Sequence, residues 1–342
     1  MHMKNHLRSC IVLLLLLLPA SADAQKVGST SLQFLKVTPS ARGSAVGDAY
    51  STWAAGAEAV FWNPAGLAVA DRNEVSFSYV QWIFDSRQSA VAAALPVEGF
   101  GVLGLQLQYV DYGEFIETSA LRPYINKEFE PGITGRTFHP NAVLIGLSYA
   151  TDLTDHFSLG GSAKYARESL YDVATIMTQV AQQKDEEVKT WAHGVFFDFG
   201  IRYRTGYRSV EIGASVQNFG ANITYAKESN PIPMMFRWGA AADLIGADAL
   251  FGQSDDQRVA MAFDLFQPND YGQQEHLGAE YEYAKTFILR AGYKFNYDTE
   301  SLTIGGGIRQ DFSGYALQID YSFNSIGEFL GNTHRFTLGV RL

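Results

Sequence analysis

Cysteine is nearly absent from this chain. The single copy, Cys10, sits in the N-terminal leader, so no disulfide staples the fold. Beyond that leader no apolar run reaches the roughly 18 residues of a membrane-spanning helix. Basic charge is in deficit, with 26 Lys and Arg against 36 Asp and Glu, which gives no footprint for nucleic acid. Enzyme signatures are missing too: the chain has no G-x-S-x-G elbow, no GxxxxGK loop, no HExxH and no CxxC. The histidines outside the leader (His139, His156, His193, His276 and His334) are scattered. The sequence therefore points to no metal, no cofactor and no catalytic activity.

Glycine, at 32, and aromatic residues, with 5 Trp, 18 Tyr and 23 Phe, are plentiful. Residues 1–24 read as a signal peptide. Lys4 and Arg8 precede the apolar run 11–18, and Ala22-Asp23-Ala24 fits a small-x-small cleavage site before Gln25. From Glu74 onward the dominant period is two. In VFFDFGIRYR, Val195, Phe197, Phe199, Ile201 and Tyr203 alternate with Asp198, Gly200, Arg202 and Arg204. In YALQIDYSF, Leu317, Ile319 and Tyr321 alternate with Gln318, Asp320 and Ser322. Such alternation marks sheets with one apolar face.

A soluble periplasmic sandwich would alternate in the same way, but three features favour a transmembrane antiparallel β-barrel in a Gram-negative outer membrane. The segments run nine to fourteen residues, suited to a tilted crossing of roughly 9–11 residues. Aromatics recur near segment ends, as an interfacial girdle requires. The inner face carries Gly, Ser, Gln and charge, which fits a polar or hydrated lumen. Outer-membrane lipid and lipopolysaccharide are then the surroundings. The expected strands are 74–82, 88–96, 100–110, 140–150, 156–168, 191–204, 208–218, 234–245, 257–267, 274–283, 286–296, 301–310, 314–324 and 333–342. That count of fourteen leaves twelve or sixteen open. The connections 111–139, 169–190 and 219–233 are long and those between them mostly short, with 246–256 the exception. Long connections face outward and short ones face the periplasm in such barrels. The last strand, HRFTLGVRL, is expected to close against the first.

The N-terminal residues 25–73 precede the barrel proper, 74–342. They are rich in small side chains and include ARGSAVGDAY at 41–50 and EAVFWNPAGLA at 58–68. Asn63-Pro64 is a turn signal. A partly helical segment at the periplasmic mouth, capping the lumen, is the expectation. These two stretches, through Gly43, Gly47, Asn63, Pro64, Ala65 and Gly66, resemble the N-terminal signature of the PorV/PorQ family of outer-membrane proteins. That family is related in fold to the FadL-type fourteen-stranded barrels. The resemblance implies a secretion-associated role (type IX-like), scaffolding or binding translocon or cargo proteins. Its FadL side implies an alternative, a passive channel for a hydrophobic small molecule.

Several charges fall on inward positions: Arg202, Arg204, Arg237, Asp264, Glu280, Glu282, Arg290, Asp320 and Arg335. Both signs lie on neighbouring strands, so they are expected to pair across the interior and stiffen the wall. The connection 111–139 mixes Tyr112, Phe115, Tyr124, Phe129 and Phe138 with charge. It is the candidate lid or partner-binding loop.

Overall fold

The computed structural model describes residues 28–119, 132–172, 175–178 and 186–342. The leader, Tyr124 and Phe129 lie outside the described residues. Fourteen long strands follow one another: β1 (Glu74–Gln81), β2 (Arg87–Val97), β3 (Gly101–Asp111), β4 (Asn141–Thr154), β5 (Phe157–Ser169), β6 (Trp191–Arg204) and β7 (Glu211–Gly220), then β8 (Met235–Gly246), β9 (Gln257–Pro268), β10 (Gln274–Tyr283), β11 (Phe287–Phe295), β12 (Leu302–Phe312), β13 (Tyr315–Ser325) and β14 (Asn332–Arg341). Each pairs antiparallel with the next. β1 also pairs with β14, Glu74 opposite Arg341 and Gln81 opposite His334, and this closes the sheet. The Leu342 amide then donates to the Asn73 carbonyl at 2.8 Å. A closed barrel leaves no backbone edge unsatisfied in lipid.

The strands expected from alternation match these to within a few residues at each end. Outward positions form an apolar belt in which Leu147 and Leu289 are 65% and 64% exposed, beside Ile145, Ile304, Ile319 and Phe197. So much contiguous apolar surface marks a lipid-facing wall. Short turns gather at the end that holds Asn73 and Leu342, called the turn end here. The long connections gather at the opposite, loop end, where the described residues include three hairpins. These are Phe115–Ser119 with Gly132–Phe138, Thr175–Thr178 with Glu186–Lys189, and Ile223–Tyr225 with Glu228–Asn230.

Residues 28–72 fill the lumen as a plug. The short helix Gln33–Lys36 sits at the loop end, with Leu32 and Phe34 buried among Val110, Leu144, Phe196 and Ile223. There the Ser31 amide donates to the Pro231 carbonyl at 3.0 Å. Lower down, the helix Ala41–Ala45 lies against β12, β13 and β14. The helical turns Gly56–Phe61 and Pro64–Val69 then pack against β2 to β6 before the chain enters β1. The sequence placed this partly helical segment at the periplasmic mouth. The turns Gly56–Phe61 and Pro64–Val69 lie toward the turn end, but the segment also runs through the lumen to the loop end, where Gln33–Lys36 sits.

The wall is shaped for that plug. Ala90, Ala92, Ala94, Ala241, Ala260 and Ala262 on the strands face Val46, Tyr50, Trp53, Phe61, Trp62 and Leu67 on the plug. Inward glycines, read from sequence as the lining of a hydrated lumen, are seats for plug backbone and side chains. A Cβ at Gly278 would stand 2.5 Å from the Val46 carbonyl oxygen, and one at Gly104 would stand 2.7 Å from Leu67 Cδ1. Gly292 abuts the Gly47 amide too closely to admit any side chain. Gly292→Val is expected to displace the plug while the barrel stays closed, at a cost of about 1–3 kcal/mol from overpacking. Trypsin should then cut after Lys36 and Arg42 in a barrel that still shifts its gel mobility on heating. Unchanged trypsin resistance would show that the seat is not needed.

Candidate functional site

Asn63, wholly buried, joins the plug to itself and to the wall. Its Oδ1 accepts from the Ala65 amide at 3.1 Å and caps Pro64–Val69. Its Nδ2 donates to the Ser51 carbonyl and to the Ile201 carbonyl of β6, each at 3.0 Å. Pro64 occupies the first helical position, where its fixed φ suits the turn and its missing N–H is not needed. Gly66 lies against the Ala54 carbonyl, with no room for a side chain. Gly43 sits under Trp62, where a Cβ would fall 2.8 Å from Trp62 Cε2 and 2.9 Å from Tyr50 Cδ1. Tyr50 meets the Trp62 ring edge-on at 5.5 Å, and the Arg237 guanidinium lies 4.9 Å from that ring's centre. The two halves of the signature therefore pack on one another.

The charges form a second lock. Glu280 accepts from Arg290 and Arg258, each at 2.7 Å, and from Arg42 of the plug at 3.1 Å. Arg290 continues to Asp320 at 2.6 Å. Arg309 reaches Glu282 at 3.5 Å. Asp264 accepts from the Tyr50 and Ser51 amides of the plug at 3.1 and 2.8 Å. Arg335 donates to the Thr38 carbonyl at 3.1 Å, and Arg202 pairs with Glu211. Arg237 is sandwiched by aromatics, 4.1 Å from the Phe266 ring centre. Arg204 departs from the lumen set: it sits at the turn-end rim, 43% exposed, 3.5 Å from Asp152.

Sequence reasoning missed the plug's own charges. Gly47 and Asp48 both take left-handed backbone, φ +68 and +63, and the turn aims Asp48 at Lys294, 2.6 Å away. Burial pushes the Asp48 carboxyl up, but Lys294 outweighs it and holds the group below the ordinary range. Burial, joined by the Asp320 charge, pushes Glu58 up, and Ser40 donates to it. Asp270, in the loop after β9, clasps the start of the plug through Thr30 at 2.6 Å and Lys36 at 2.8 Å. Charge inside a segment of small residues was the available signal.

Between plug and wall at the loop end there remains a cavity of about 600 Å³. Buried Phe34, Gln88, Arg237, Phe266, Lys294 and Arg335 line its inner part. Trp82, Phe84, Arg87, Tyr112 and Phe115 stand toward its mouth. Tyr112 and Phe115 are thus placed at the cavity, and Phe138 stacks on Phe115 at 5.7 Å. Among the described residues no group of His, Cys, Asp and Glu could hold a metal.

A profile of the type IX secretion system protein PorV matches residues 20–265, a stretch that contains the whole signature. The chain belongs to the PorV family. No curated protein matches it in sequence. In fold this PorV-family barrel is similar to the Ralstonia pickettii toluene transporter TbuX, with a TM-score of 0.54 at 14% identity over 90% of this chain and 98% of that one. It is also similar to the Pseudomonas putida toluene transporter TodX, with a TM-score of 0.55 at 13% identity over 87% of this chain and 95% of that one. At those identities the likeness is one of fold. Family and fold together place the chain among the closed β-barrels of the Gram-negative outer membrane.

Two outcomes test the locks of this PorV-family plug. Asn63→Ala strands the Ser51 and Ile201 carbonyls and should lower stability by about 1–3 kcal/mol. Asn63→Asp should be at least as damaging, because it turns a double donor into an acceptor facing two carbonyls. Unfolding in detergent measures both, and an innocuous Asp would contradict the assigned hydrogen bonds. Burial pushes the Asp270 carboxyl up, but hydrogen bonds from Lys36, Thr30 and Gln33 overcome this and hold it below the ordinary range. A depressed carboxylate stabilises the clasp above its unfolded pKa of about 3.9, and that contribution disappears as pH falls through the lower folded value. Protease protection of residues 28–36 should hold from neutrality to about pH 4 and fail below it. Asp270→Asn should flatten that profile.

Proposed function

We propose that this PorV-family barrel admits a hydrophobic small molecule into its loop-end cavity, as a FadL-like passive channel would. The cavity between residues 33–38 and the wall carries this reading, because its lining brings Phe34, Trp82, Tyr112, Phe115 and Phe266 around a space of ligand size. The fold likeness to toluene transporters supports a compact aromatic guest. Onward passage requires the plug to shift, so Arg42 must part from Glu280 and Asp48 from Lys294. The charges that lock the plug are then the gate.

A second reading is favoured by the family match: a partner-binding or scaffolding component of type IX secretion, meeting translocon or cargo proteins at the loop end. Exposed Phe84, Phe115, Ile116 and Ile133 would then be contact side chains. One paired experiment separates the two. Equilibrium dialysis of the purified barrel with toluene is expected to show saturable binding that Val110→Trp, which fills the cavity, abolishes. A pull-down from solubilised outer membrane reads the other arm. Co-purification of translocon components without toluene binding would overturn the channel reading in favour of the secretion one.

A further inference from the structure

The outer face of the wall is apolar or aromatic through the lipid belt, but near the loop end of β5 and β6 that pattern breaks. Arg167 faces outward between Val143 of β4 and His193 of β6, its register partners, with Tyr165 one outward position closer to the middle of the wall. Its guanidinium lies 4.7 Å from the centre of the Trp191 ring. Lys189, from the hairpin above, holds its ammonium 5.7 Å from the same ring. His193 packs on Trp191 at 5.3 Å and on Tyr165 at 5.6 Å. Arg167, Lys189 and His193 are all exposed.

Two observations point to a ligand. Every cation of the Glu280 network has a carboxylate within 3.1 Å, yet Arg167 and Lys189 share an indole and have no carboxylate partner among the described residues. Two like charges gathered on one ring repel, so the arrangement favours a counter-anion between them. The level of the cluster names the source of that anion. Exposed Tyr109 and Tyr165 mark the girdle on β3 and β5, and Arg167 stands one outward position nearer the loops, at headgroup height. Guanidinium and ammonium groups beside flat aromatic faces suit phosphate on a sugar.

We propose that Arg167, Lys189 and His193, arranged around Trp191, dock the phosphate of a glycolipid in the outer leaflet. This site lies on the outer wall and is independent of the lumen and its cavity. The test uses the full chain in detergent micelles, with native mass spectrometry reading bound lipid. Diphosphorylated lipid A is expected to bind, its dephosphorylated form to bind far less, and inorganic phosphate alone not to compete at equal concentration. Arg167→Gln with Lys189→Gln should weaken lipid binding by about 30-fold. Arg167→Lys with Lys189→Arg should keep it, and retained heat-modifiability shows that both variants are folded. Equal binding of the phosphate-free lipid, full competition by free phosphate, or an unchanged double Gln variant would each overturn the assignment.

Discussion

A closed fourteen-stranded wall encloses more space than its own inward side chains can fill. That space must hold water or protein, and here the chain fills it with its own first described residues. Much of the interior follows from this choice. Large plug side chains such as Trp62, Phe61 and Leu67 demand small wall partners, and Ala90, Ala92 and Ala94 of β2, Ala241 of β8 and Ala260 and Ala262 of β9 supply them. Where plug backbone itself touches the wall, even Ala is too large, and Gly278 and Gly292 take its place. The lipid-facing rows are free of this demand and carry the bulk instead.

Packing alone would hold such a plug in more than one register, because small wall residues offer similar seats along each strand. The polar contacts choose among them. Glu280 binds Arg42 in only one position of the plug, and Asp264 accepts two particular amides, those of Tyr50 and Ser51. Taking three guanidinium groups and a carboxylate out of water costs roughly what their attraction returns. The network therefore specifies the register more than it adds stability. Asn63 carries the same logic in neutral form: three hydrogen bonds, each to a defined backbone group.

The barrel was legible in the sequence because alternation is a local property. Phe197 and Asp198 declare their faces without reference to any other strand. The signature was legible as a pattern, and Asn63, Gly43 and Trp62 show why those residue types recur together. The path of the plug was not legible. Residues 28–48 have no period, and their destination depends on which wall glycines face which carbonyls across the lumen. An inward glycine reads the same whether it borders water or backbone, so the hydrated interior expected from Gly, Ser and Gln became a packed one. Likewise, Arg42 and Asp48 could not be matched to Glu280 and Lys294 before the threading direction was known. The cavity was out of reach for a related reason: it is the volume left over between two elements, and no single stretch encodes a remainder.

Charge on this protein sorts into two kinds, and the sorting bears on what each is for. Inside the lumen, charges are held by the protein: Glu280 and Lys294 meet opposite charges, Asp264 meets backbone amides, and Arg237 meets aromatic rings and Gln217. On the outer wall, the apolar belt admits no charge, and cations appear only where headgroups begin. Arg167 and Lys189 stand at that boundary with no carboxylate partner among the described residues. A matched charge needs nothing further to be stable. An unmatched pair of cations held on one ring is stable in water only through solvation, and in a leaflet rich in anions it is drawn to them.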